Sequence, residues 1–67
     1  MTRIREHRKR LGMTLAEVGF KAEVDEAFLS KTERGWKKVP EDAQERISAV
    51  LGVPEEQLFD ENGYAKN

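Results

Sequence analysis

In the stretch VDEAFLSKTERG, residues 24–35, Lys31 and Arg34 lie one turn apart if the segment is helical, and Lys37 and Lys38 follow at once. An ammonium and a guanidinium on one helical face are strong donors to anionic or polar acceptors, the guanidinium in a forked geometry. At about 100° per residue, Glu26, Ala27, Ser30, Lys31 and Arg34 fall on one side and Phe28, Leu29 and Thr32 on the other. That side offers donors, a hydroxyl, a methyl and one carboxylate in a row. Such a row can read a patterned polar surface; it does not make or break bonds.

Nothing else in the chain supplies catalytic chemistry. There are no cysteines and one histidine, which excludes disulfides, thiolate sites and a four-ligand zinc site. No nucleophile–base pair and no phosphate-cradling glycine loop is present, and 67 residues leave little room for a deep pocket. The expectation is a protein that is not an enzyme, with no cofactor, no metal and no small-molecule substrate. His7, one turn after Ile4, reads as a partly buried, hydrogen-bonded histidine rather than a ligand.

The net charge of −1 hides an asymmetry. Residues 1–38 hold ten Lys/Arg against six Asp/Glu, whereas residues 39–67 hold two against seven. A small domain polarised in this way can turn its basic side to a polyanion. The start, MTRIREHRKR, is too charged for a signal peptide, and no apolar run approaches membrane length. A soluble cytoplasmic protein, nucleoid-associated and without membrane contact, is the expectation.

The helices that must position these residues announce themselves by their punctuation. Thr2 can cap a first helix with Ile4, Arg8 and Leu11 on one face, ended by Gly12. Thr14-Leu-Ala-Glu17 is a capping box opening a second helix with Leu15, Val18, Gly19 and Ala22 inward. Asp25 caps the third helix, and Gly35 stops it. After the WKKV loop, Pro40, Glu41 and Asp42 open a fourth, with Ala43, Ile47, Val50 and Leu51 as its apolar stripe. Pro54 opens a short fifth that carries Leu58 and Phe59 inward, and ENGYAKN reads as a tail. Short joints and the lack of a strand pattern predict an all-α fold of five helices. Residues 1–60 form one domain, residues 61–67 a C-terminal tail.

The run RLGMTLAEVGFKAEVDEAFLSKTERG, then KKVP and VLGVPEEQLF, resembles the lambda-repressor-like, Cro/C1-type (XRE-type) helix-turn-helix family over about residues 3–60. The resemblance implies a five-helix DNA-binding domain, usually dimeric on DNA, with the helix-turn-helix at about residues 14–35. It places Glu26, Ala27 and Lys31 where relatives contact base edges, on the face that also holds Ser30 and Arg34. It places Thr14 and the Leu15 N–H where the second helix holds a phosphate. Arg34, Lys37 and Lys38 fall where relatives meet the backbone. Arg8 and Glu33 match a basic/acidic pair, and both also border inner helical faces, so a mostly buried structural ion pair is expected.

Departures from the family pattern are informative. Glu23 stands at a turn position that is usually Gly, which predicts a left-handed backbone there. Gly19 replaces the usual Ala at the close approach of the second and third helices, and Thr32 replaces a customary Ile or Leu. Asp25 replaces Ser or Thr and caps equally well. Glu26 either serves the helix dipole or accepts from cytosine N4. Phe20 and Trp36 either fold back or make exposed contacts with a second subunit or a DNA backbone. The function that follows is a sequence-specific double-stranded DNA-binding transcriptional regulator of the repressor kind. The alternative is a protein-interaction module of the same fold, antitoxin-like or anti-repressor, without DNA binding.

Overall fold

Five helices make up the computed structural model, which describes residues 1–67: α1 (Arg3–Arg10), α2 (Leu15–Ala22), α3 (Glu26–Glu33), α4 (Glu41–Leu51) and α5 (Glu55–Leu58). The all-α expectation holds. No strand forms, and the β-type pairing is limited to an isolated antiparallel bridge between Phe59 and Ala65.

Local capping starts the central helices. Thr14 Oγ1 accepts from the Glu17 N–H at 3.1 Å while the Thr14 N–H donates to Glu17 Oε1 at 2.9 Å. Asp25 Oδ2 accepts from the N–H groups of Ala27 (3.0 Å) and Phe28 (3.2 Å). Each such cap contributes about 0.5–2 kcal/mol by satisfying amides that have no intrahelical partner. Thr2 behaves differently from expectation. Its side chain does not cap α1; the buried hydroxyl donates instead to the Glu33 carbonyl, a last-turn acceptor of α3 with no partner in its own helix.

α2 occupies the middle of the bundle, packed on both α3 and α4, while α1 rests on α4 and α5. The core joins Ile4, Val18, Ala22, Leu29, Val39, Ala43, Ile47, Leu51, Leu58 and Phe59. Two residues depart from the expected pattern, one leaving the core and one joining it. Leu11 stays exposed, because α1 ends at Arg10 and Leu11 forms the helix terminus. Val39, in the loop, is fully buried and closes the core between α3 and α4. Arg46 of α4 donates from Nε to the Ala22 carbonyl at 2.7 Å, capping the end of α2.

The segment expected as a tail is folded onto the domain. The Lys66 N–H donates to the Leu58 carbonyl and the Arg3 N–H to the Lys66 carbonyl, both at 2.8 Å. Asp60 Oδ1 accepts from the N–H groups of Asn62 and Tyr64, turning the chain at Gly63. Gly63 is buried with φ +90°, and a Cβ there would lie 3.1 Å from the Val39 carbonyl oxygen. Backbone pairing and the packing of Ala65 against the core hold this strap in place.

Candidate nucleic-acid interface

The candidate interface is built from the close crossing of α2 and α3. Only three residues, Glu23 to Asp25, join them. Glu23 adopts the left-handed conformation (φ 58°, ψ 45°), the one non-glycine residue with positive φ. A Cβ on Gly19 would sit 2.8 Å from the Val24 carbonyl oxygen, closer than packed atoms allow. The missing side chain therefore lets the turn lie flat against α2.

This crossing buries Leu29 and Thr32 completely and leaves the other side of α3 in solvent. Glu26, Ala27, Lys31 and Arg34 are exposed and Ser30 is half-buried, so these five residues form one continuous outer face. Thr14, also exposed, begins α2. The capping box uses the amides of Thr14 and Glu17, leaving those of Leu15 and Ala16 ahead of the first intrahelical acceptor. Hydrogen bonding from the Thr14 backbone holds the Glu17 carboxyl below its ordinary value.

The far end of α3 is anchored from behind. Arg8 donates through Nε and Nη2 to the two carboxylate oxygens of Glu33, and through Nη1 to the Met13 carbonyl at 2.9 Å. The pair is largely buried, and the bond to Glu33 raises the Arg8 guanidinium above its ordinary value. Neither residue faces outward, so their role is to fix α3 against α1.

Beyond α3 the loop carries Trp36, Lys37 and Lys38, all exposed. The Trp36 N–H donates to the Lys31 carbonyl at 3.0 Å. At the other end, the Val39 N–H donates to the Gly63 carbonyl at 2.9 Å, and Gln44 Nε2 donates to the Val39 carbonyl at 2.9 Å. Arg34 lies over the Trp36 ring, 5.1 Å from its centroid. Trp36 does not fold back into the domain; it is 64% exposed, and Phe20 on α2 is 86% exposed.

The acidic half gathers elsewhere. Glu41, Glu45 and Glu55, from the starts of α4 and α5, bring carboxylate oxygens within 4.8 Å of one another. Glu41 and Glu55 border a hollow of about 420 Å³ whose wall is acidic apart from Gln44, Phe59 and Lys66. A hydrogen bond to Glu41, with the surrounding like charges, pushes the Glu55 carboxyl up to about 7. A duplex, itself anionic, is repelled by this wall.

Arg46, Thr2 and Gly63 also support the α2–α3 side of the domain, and nothing in the sequence singles them out for it. All three act through backbone carbonyls distant in the chain, which leave no periodic signal. The Asn62-Gly63 pair was the available cue, since Asn-Gly favours turns.

Comparison with known proteins agrees with this architecture. Residues 2–59 match the helix-turn-helix domain family. One chain of the solved SinR protein/SinI protein complex shares the fold, with a TM-score of 0.76 and 40% sequence identity. The match covers 88% of this chain and 58% of that one, so this chain spans little more than half of that relative's length. No curated protein matches.

Proposed function

Because the chain belongs to the helix-turn-helix domain family, we propose that it binds double-stranded DNA sequence-specifically and regulates transcription as a repressor, with α3 in the major groove. The observation that carries this reading is the outer face of α3, exposed along its length and followed by two exposed lysines. A helix of ordinary diameter fits the major groove, and this one presents groups suited to base edges. Lys31 donates to guanine acceptors, Ala27 packs on a thymine methyl, Glu26 accepts from cytosine N4, and Arg34, at the far end of the face, meets the backbone. Ser30 adds an adaptable hydroxyl. Thr14 and the Leu15 N–H hold one phosphate at the start of α2, and Lys37 and Lys38 hold others. The protein acts in the cytoplasm, on the nucleoid, as a homodimer reading two half-sites about one helical turn apart.

The test is selection of bound sequences from a random duplex pool at moderate salt. An enriched inverted repeat supports the proposal in full. No enrichment, together with no duplex binding at low salt, overturns it.

A second reading has specific support. Phe20 projects from α2 almost fully exposed, and the structurally similar chain comes from a complex of two proteins. A protein-interaction module, antitoxin-like or anti-repressor, would bind a protein through this surface and no DNA. Retention of a protein partner by the wild type but not by Phe20→Ala, with no duplex binding, would favour it.

A further inference from the structure

We propose that Arg34 and Trp36 act as one unit that grips the sugar–phosphate backbone at the edge of the groove. The indole lies against a deoxyribose, and the guanidinium held over it meets the adjacent phosphate. This rests on the reading that the chain binds duplex DNA.

Trp36 is the single tryptophan of the chain, yet it is left 64% exposed while Val39, three residues on, is buried. An indole in water forgoes the stabilisation that burial of its large apolar surface would bring. The fold therefore does not use this ring for its core. What the ring does engage is Arg34, whose guanidinium carbon lies 5.1 Å from its centroid. A cation–π contact uses none of the guanidinium N–H groups and leaves them free to donate. The charge is thus held in one place without being neutralised.

The loop that presents the ring is pinned at both ends. The Trp36 N–H is bound to the Lys31 carbonyl, and the Val39 N–H to Gly63 on the strap. Lys37 and Lys38 follow directly, so the segment sets three cations beside one aromatic in the sequence. That surrounding chooses the partner: an anionic strand complements it, and the sugars between phosphates offer apolar faces of the size an indole covers. Phe20 has no such cations over its ring and is not part of the unit.

The single tryptophan makes the test direct. The full chain is titrated with a mixed-sequence duplex at low salt, where phosphate contacts alone support binding. Binding is followed by the anisotropy of an end-labelled duplex, and acrylamide quenching of Trp36 emission is followed with unlabelled duplex. Quenching should fall in step with the bound fraction. Trp36→Ala should weaken binding to every duplex by about tenfold and leave base preference unchanged. Trp36→Phe should recover part of that loss. A bound duplex with Trp36 still fully open to acrylamide overturns the clamp and leaves DNA binding standing. So does undiminished binding by a folded Trp36→Ala variant. If that variant does not fold, the wild-type quenching result decides. If no duplex binds at low salt, the DNA reading fails and the clamp fails with it.

Discussion

Arg8 meets both carboxylate oxygens of Glu33, and so ties the first helix to the last turn of α3 through one guanidinium. Side-chain exposures of 12% and 5% keep the pair out of water. Replacing Arg8 with Ala would leave a buried carboxylate without its partner. The expected loss is about 3–5 kcal/mol, read as a lower urea midpoint. An unchanged midpoint would show that the pair does not hold the helices together.

Thr32 is fully buried, and its Oγ1 is a buried polar atom without a hydrogen-bond partner. An unsatisfied hydroxyl costs about 1–3 kcal/mol, so Thr32→Val, which keeps the shape, should stabilise the domain by about 1 kcal/mol or more. Thr32→Ser keeps the hydroxyl and removes a methyl, and should destabilise it. If both variants melt below the wild type, the hydroxyl has a partner after all.

Glu55 gives the stability a pH dependence of unusual sign for a carboxylate. Its folded-state value of about 7 exceeds the ordinary 4.5. Between those values the folded chain keeps a proton that the unfolded chain has released, so this contribution falls as pH rises. Melting temperature should therefore decrease between about pH 5 and about pH 8, and Glu55→Gln should flatten the decrease. A variant with the same slope as the wild type would assign the proton to another group.

Lys31 and Lys37 should separate base reading from backbone anchoring. Both are exposed, but Lys31 lies on the α3 face and Lys37 in the following loop. Lys31→Ala should narrow the gap between a selected duplex and its shuffled version. Lys37→Ala should weaken both alike and reduce the salt slope by about 0.9, the value of one phosphate contact. Equal effects from the two variants would remove the distinction.

What could be read from the sequence was local. The Thr14–Glu17 capping box and the Asp25 cap span two or three residues, so composition alone specifies them. Glu23 could be placed in the left-handed region because the resembled family uses Gly there. The Arg8–Glu33 pairing also came from the resemblance, supported by two inward-facing positions. What stayed hidden depends on distant backbone. Thr2 finds the Glu33 carbonyl and Arg46 the Ala22 carbonyl, and neither acceptor has a side-chain signature. Val39 is flanked by two lysines and a proline yet fully buried, because the strap rather than a helix sets its position.

The bond from Val39 to Gly63 reaches beyond folding. It fixes the loop that carries Lys37 and Lys38 before any ligand arrives. A duplex meeting this face finds that end of the loop already placed, so part of the entropic cost of arranging the loop falls on folding rather than on association. Calorimetry would then show the modest heat-capacity change of two rigid surfaces meeting, without the large negative value that accompanies coupled folding.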